Sequence, residues 1–291
     1  MRVIFYSRHH DKLAFMQMRK IFKNFYWWCP LLMYSVDANA WGLFTHLYFA
    51  QSLIMSMPLL DKRLRSAIKR FPELVMAGAC LPDLAVISKK FNTTHQWQQA
   101  EGMLAAAQTE EEIAIAIGFA SHLYVDVIAH NHFVPAHEAL WNNESMVAHI
   151  ASEWAMDAYV APQVTHTPGQ LLRRHLELLA PFVSFCFTCP EPHTRKTLKQ
   201  LAFWDTTLRT VKLPHLINQV IRITDNGVSK TFDYYLSKTE SALVDFNKAI
   251  EGHHPAWQPE LHHLGLEELD VWRTRCLDEL TQQLPVPISY Y

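Results

Sequence analysis

His122 and Asp126 stand four residues apart, and so do His149 and Glu153. On an α-helix that spacing puts both members of a pair on one face. Two antiparallel helices can aim such pairs at one another, which is how helical proteins build metal sites inside a core. Asp157 follows Glu153 by one further turn, His130-Asn-His132 lies between the pairs, and His46, Pro82-Asp83 and His95 lie upstream. Ile117, Phe119, Val125, Ile128 and Ile150 mark the same faces as buried. Burying several imidazoles and carboxylates together is costly unless something satisfies them. A mixed nitrogen and oxygen donor set of this kind suits zinc.

The elements that must position these groups read as helices. An apolar segment with helical spacing over 42–57 stops at Pro58, a short amphipathic helix over 61–71 stops at Pro72, and an apolar one over 73–80 ends at Pro82-Asp83. Thr109-Glu-Glu-Glu112 is a capping-box start. It opens the longest helix, expected to run to about Phe133 and to end before Pro135. Further helices are expected over 144–161 and 169–180, and broken helical segments over 195–285. Strand signals are few, and there is no internal repeat or low-complexity linker. The reading is an all-α, single-domain helical bundle around a buried multi-metal cluster.

Composition agrees. Of 291 residues, 49% are apolar and 19% charged, which excludes a disordered chain, and 8 Gly argue against a turn-rich β-sandwich or a glycine-rich nucleotide fold. A net charge of −2 gives no bulk attraction to nucleic acid or anionic membrane. The count of 17 His is a poor guide by itself: two precede residue 41, seven fall in 41–153, and eight lie from His166 onward. His137, His253-His254 and His262-His263 read as non-ligating.

The N-terminus reads as a leader. Arg19, Lys20 and Lys23 precede an apolar run over 25–36, and Asp37-Ala38-Asn39-Ala40 offers an A-x-A cleavage site. Translation from Met16 or Met18 suits the pattern best, making the first residues an over-long start. Twelve apolar residues are too few to span a bilayer, and no later stretch reads as a span. Residues 1–40 are therefore expected to be a signal peptide. Cleavage would expose Trp41 on an exported, periplasmic or secreted chain of residues 41–291. Cys80, Cys186, Cys189 and Cys276 remain, with one or two pairs open to oxidation; the C-x-x-C of Cys186 and Cys189 reads as structural.

Trp-Gly-x-x-x-His at 41–46, Pro-Asp at 82–83, His95, His-x-x-x-Asp at 122–126, a following His, and His-x-x-x-Glu at 149–153 resemble, in order and spacing, the zinc-dependent phospholipase C / S1-P1 nuclease superfamily. The resemblance covers about residues 41–160; the C-terminal third carries no recognised motif. It implies an all-α fold with three clustered zinc ions and a ligating N-terminal Trp. Asp83, His95, His122 and Asp126 would hold one ion. Asp126 would bridge to a second, held also by His46 and the Trp41 main chain. His149, Glu153 and either His130 or His132 would take the third. The spacing from Asp126 to His132 matches the secreted enzymes, though without their intervening Pro. The glycosylphosphatidylinositol phospholipase D branch and unbroken helix geometry favour His130.

The implied chemistry is phosphodiester hydrolysis, with metal ions activating water and stabilising the leaving alkoxide, and with Asp83 orienting the water or acting as general base. The substrate expected is a phospholipid or another phosphodiester, with peripheral membrane contact and no stable nucleic-acid partner. Two other readings stay open: a single-strand nuclease, favoured by the spacing from Trp41 to His46, and a non-catalytic, metal-stabilised exported binding protein. Trp97, Phe133, Trp141 and Trp154 read as core rather than a headgroup pocket, and Arg63, Arg65, Lys69 and Arg70 as a solvated helix face.

Overall fold

The computed structural model describes residues 42–55, 62–141, 146–259 and 264–284, with residues 288 and 290. The expected leader, Trp41, His262 and His263 lie outside them. The helices are α1 (Leu43–Met55), α2 (Lys62–Arg70), α3 (Pro72–Gly78), α4 (Leu84–Ile87), α5 (Trp97–Ala106), α6 (Glu110–Ile128), α7 (Val134–Leu140) and α8 (Met146–Val160). They are followed by α9 (Pro168–Arg174), α10 (Leu176–Cys186), α11 (Glu191–Thr210), α12 (Leu213–Thr224), α13 (Val228–Ala242), α14 (Phe246–Ile250) and α15 (Leu266–Gln282). Among the described residues there is no strand, only an isolated bridge between Pro255 and Tyr290. One hydrophobic core runs from Leu43 to Cys276, so the all-α reading holds.

The hub is α6. The Thr109 hydroxyl accepts the Glu112 N–H at 3.2 Å, and Glu112 accepts the Thr109 N–H at 3.1 Å. That capping box and three Glu in the first turn fix its start. Every residue from Ile113 to Ile128 is buried, because the helix is apolar on all sides and is wrapped on all sides. Its closest neighbour is α3. A Cβ on Gly118 would fall 2.0 Å from the Val75 carbonyl oxygen, and one on Gly78 would fall 2.2 Å from that of Ile115. The two backbones touch through these glycines, which brings the end of α3 against the polar stretch of α6.

Pro135 does not end this helix. Residues 129–133 form a π-helical turn, and the helical run continues from Glu110 to Leu140. Proline has no N–H to offer the carbonyl one turn back. The Asn131 carbonyl instead accepts the Trp272 indole N–H at 2.6 Å and the Cys276 S–H at 3.3 Å, both from α15. A partner distant in sequence thus fills the gap that proline opens. The 31-residue run also corrects the expectation about later spans. It is long and apolar enough to cross a membrane, with a mean hydropathy of 1.5, but that apolar window is wholly buried as the core helix.

Cys80, Cys186, Cys189 and Cys276 are all free thiols. Trp97, Phe133 and Trp141 are buried, as the core reading expects. Arg65 and Lys69 face solvent, while Arg70 pairs with Glu110.

Candidate metal centre

Three elements meet at Asp126. It lies on the buried face of α6, one turn after His122. His46 projects from the first half of α1. His95 follows the turn that leaves α4, whose start carries Asp83. Oδ1 of Asp126 is 3.3 Å from His46 Nε2 and 3.7 Å from His130 Nε2. Oδ2 is 3.0 Å from His122 Nε2 and 3.6 Å from His95 Nε2. Oδ1 of Asp83 lies 3.9 Å from His122 Nε2 and 4.0 Å from His95 Nε2. The His46 and His122 rings stack at 3.5 Å. Across the site, α8 supplies His149 and Glu153, whose Nε2 and Oε1 are 3.0 Å apart, and the π-turn brings the His130 ring 5.4 Å from that of His149.

These side chains fall into three groups: His46, His122 and Asp126; Asp83, His95 and His122; and His130, His149 and Glu153. In each, the ligand-type atoms lie within 4.8 Å of one another.

The surrounding backbone sets the direction of the rings. The Ala79 carbonyl, delivered by the close contact of α3 with α6, lies 2.8 Å from His122 Nδ1. A carbonyl only accepts, so Nδ1 holds the proton and the Nε2 lone pair faces inward. His95 Nδ1 lies 3.4 Å from the Thr94 hydroxyl, which reaches the Pro82 carbonyl at 2.6 Å and so ties the His95 turn to the Asp83 turn.

Burial shapes the charges. It lifts Asp83 and Glu153 to about 7. Burial alone would also raise Asp126, but His122 and His46 beside it hold it well below the ordinary carboxylate range. Burial drives His130 down to about 3. Burial also opposes a charge on His149, yet Glu153 outweighs it and raises that imidazole.

His46 Nδ1 and Nε2, Asp83 Oδ1, His122 Nε2, both Asp126 oxygens and His130 Nε2 are buried without a hydrogen bond. Each such group costs on the order of 1–3 kcal/mol if left unsatisfied. Imidazole nitrogens and carboxylate oxygens that converge in a buried site are the donors that zinc takes. The residues therefore fit the ion.

The structure separates His130 from His132. Four residues beyond Asp126, His130 returns to the same face. His132 Nδ1 instead lies 3.5 Å from Glu279, with the Trp257 and Trp272 rings around it. His137 is buried with Nδ1 2.8 Å from the Phe133 carbonyl, outside the three groups. Trp41 lies outside the described residues. Two roles escaped the sequence reading: Asp157, noted only for its spacing, binds the start of α1, and the Ala79 carbonyl orients His122. The turn-by-turn recurrence of His149, Glu153 and Asp157 was the available signal for the first.

The family model for zinc dependent phospholipase C matches residues 45–189, a stretch that contains every member of the three groups. The chain belongs to the zinc-dependent phospholipase C family. At the family level it is a phospholipase C-like zinc hydrolase. The match begins after Trp41 and ends before α11, so the last five helices fall outside it. No curated protein and no solved structure matches the chain.

Proposed function

We propose that this protein is an exported phospholipase C that uses three zinc ions to hydrolyse the phosphodiester of a phospholipid, releasing diacylglycerol and a phosphorylated headgroup. The observation that supports it is the convergence of three ligand groups around Asp126 inside the family segment, with buried polar atoms of His46, Asp83, His122, Asp126 and His130 left without hydrogen bonds. Asp83, His95, His122 and Asp126 would hold one ion; His46 and Asp126, with the main chain of an exposed Trp41, a second; His130, His149 and Glu153 the third.

Bound zinc supplies Lewis acidity toward the phosphoryl oxygens and lowers the pKa of water. The chain does the rest. Ala79 fixes the tautomer of His122, and Thr94 helps fix the His95 turn. The carboxylate of Asp83 has an oxygen without a hydrogen bond at the edge of the cluster. From there it orients the attacking water and receives its proton as the oxygen adds to phosphorus. The proton then passes to the leaving alkoxide or to solvent.

The test incubates the mature, zinc-loaded protein with phospholipid vesicles and, separately, with single-stranded DNA, and analyses the products. Diacylglycerol that disappears in His122→Ala supports the reading. A zinc-loaded protein that cuts DNA alone establishes the nuclease. One inert on both is a metal-stabilised binding protein.

A further inference from the structure

His46 meets Asp126 only if α1 is held at the right rotation, and the groups that hold it lie outside the ligand set. Asp157, buried on α8, reaches across to the start of α1. Its Oδ1 accepts the Thr45 N–H at 2.8 Å and the Thr45 hydroxyl at 2.9 Å, and its Oδ2 lies 3.3 Å from the Phe44 N–H, which it accepts. The next residue is His46. A helix start is ordinarily capped by its own chain a few residues away. Here the cap comes from 112 residues on in the sequence. The backbone of Gly42 passes so close that a Cβ there would fall 2.2 Å from Asp157 Cγ, so only glycine fits.

Asp157 is itself fixed by Arg209, near the end of α11. Nη2 of Arg209 donates to Asp157 Oδ2 at 2.8 Å, and Nε donates to Asp205 Oδ1 at 2.8 Å. Its guanidinium covers the Phe44 ring at 3.7 Å. Asp205 also accepts the Gly169 N–H at 3.1 Å, which anchors the arrangement to α9. The planar fork of Arg209 thus fixes two carboxylates and one face of α1's first turn together. Asp157 also lies one turn beyond Glu153 on α8. One helix therefore carries ligands of the third group and the clamp on the helix that bears His46. A turn of one residue in α1 is about 100°, enough to take the His46 ring off Asp126.

We propose that Arg209 and Asp157 are positioning residues for the His46 metal site, so that α11, outside the family segment, sets the affinity of one ion in the cluster. This deepens the zinc reading and rests on it.

The experiment uses the full exported chain and zinc itself, read by elemental analysis, with cobalt(II) titration as the spectroscopic probe. His46→Ala defines which metal equivalent belongs to that site. Arg209→Gln is expected to weaken the same equivalent by about tenfold or more, as loss of an outer orienting group does. His46→Ala combined with Arg209→Gln should lose nothing further. Glu153→Gln should remove a different equivalent, and its loss should add to that of Arg209→Gln. If Arg209→Gln does not fold, Asp157→Asn, which keeps an acceptor for the Thr45 N–H, should show the same selective loss in milder form. Arg209→Gln with wild-type metal affinities and only a lower melting temperature of the metal-free protein overturns the inference. So does a parallel weakening of all equivalents. A wild-type chain that binds no zinc overturns the zinc reading and this inference with it. A zinc-loaded wild type with an equally loaded Arg209→Gln overturns this inference alone.

Discussion

The histidines of the two halves of the molecule live in different surroundings. Between α1 and the π-turn, His46, His122 and His130 are buried around Asp126 with their inner nitrogens free of hydrogen bonds. Farther along the chain, each described pair is polar and partly open to water. His175 and His166 share Glu73 at 2.8 and 3.4 Å, with Arg174 on the same carboxylate. His193 lies 3.0 Å from the Ser88 hydroxyl, and His254 stacks on Trp97 while meeting Glu101. Both halves place imidazole beside carboxylate. What separates them is burial together with orphaned lone pairs. A satisfied, partly open His–Glu pair has little to gain from a metal, whereas a buried cluster with orphaned donor atoms gains much.

Substitutions that erase this difference should act most strongly at the junction. Asp126→Asn removes the carboxylate that four imidazoles surround, and should lower kcat/KM by about 10³ or more, the several kcal/mol of transition-state stabilisation that metal sites supply. Initial rates on phospholipid vesicles check this. Chelation comes next. A metal bound only by the folded state stabilises by mass action. Stripping it should lower the melting temperature by about 10 °C or more, given roughly 2–4 °C per kcal/mol for a chain of this size. Calorimetry with and without chelator, followed by zinc restoration, measures it.

The pH dependence is smaller and has a definite sign. With Glu153 lifted to about 7 by burial, the metal-free site holds a proton below that pH, and a metal must displace it. Affinity of the third group should therefore fall as pH falls below about 7, by roughly tenfold per unit for one proton, and level off above it. Metal titrations at several pH values show whether the slope runs this way. Trp272→Phe should be milder again. It removes the indole donor to the Asn131 carbonyl at the π-turn and should cost on the order of 1–3 kcal/mol of stability, with activity nearly kept. Denaturant unfolding gives that figure. His175→Ala, on the partly open pair, should stay within about 0.5 kcal/mol of wild type with its metal content unchanged.

Much of the site was legible because its signal is local. A four-residue spacing on a helix commits two side chains to one face, so His122 with Asp126 and His149 with Glu153 could be placed without knowing the fold. The Thr109 capping box was legible for the same reason. What escaped depends on distant partners. Pro135 reads as a helix end, and becomes helix interior only because Trp272 and Cys276 satisfy the Asn131 carbonyl. The choice between His130 and His132 turned on the path of the chain through that π-turn. Asp157 gave no hint of its partner, since the residues it holds, Phe44, Thr45 and Arg209, come from two other helices. The contact of Gly78 and Gly118 that brings Ala79 to His122 is likewise a backbone packing event, invisible to side-chain pattern.

The central claim is that the buried cluster around Asp126 is a zinc site, and metal analysis of the purified chain tests it most directly. Three zinc ions per chain are expected, falling when Asp126 is replaced and unchanged when His175 is replaced. A chain purified without chelator that carries no zinc, and takes up none on titration at pH 8, would contradict it.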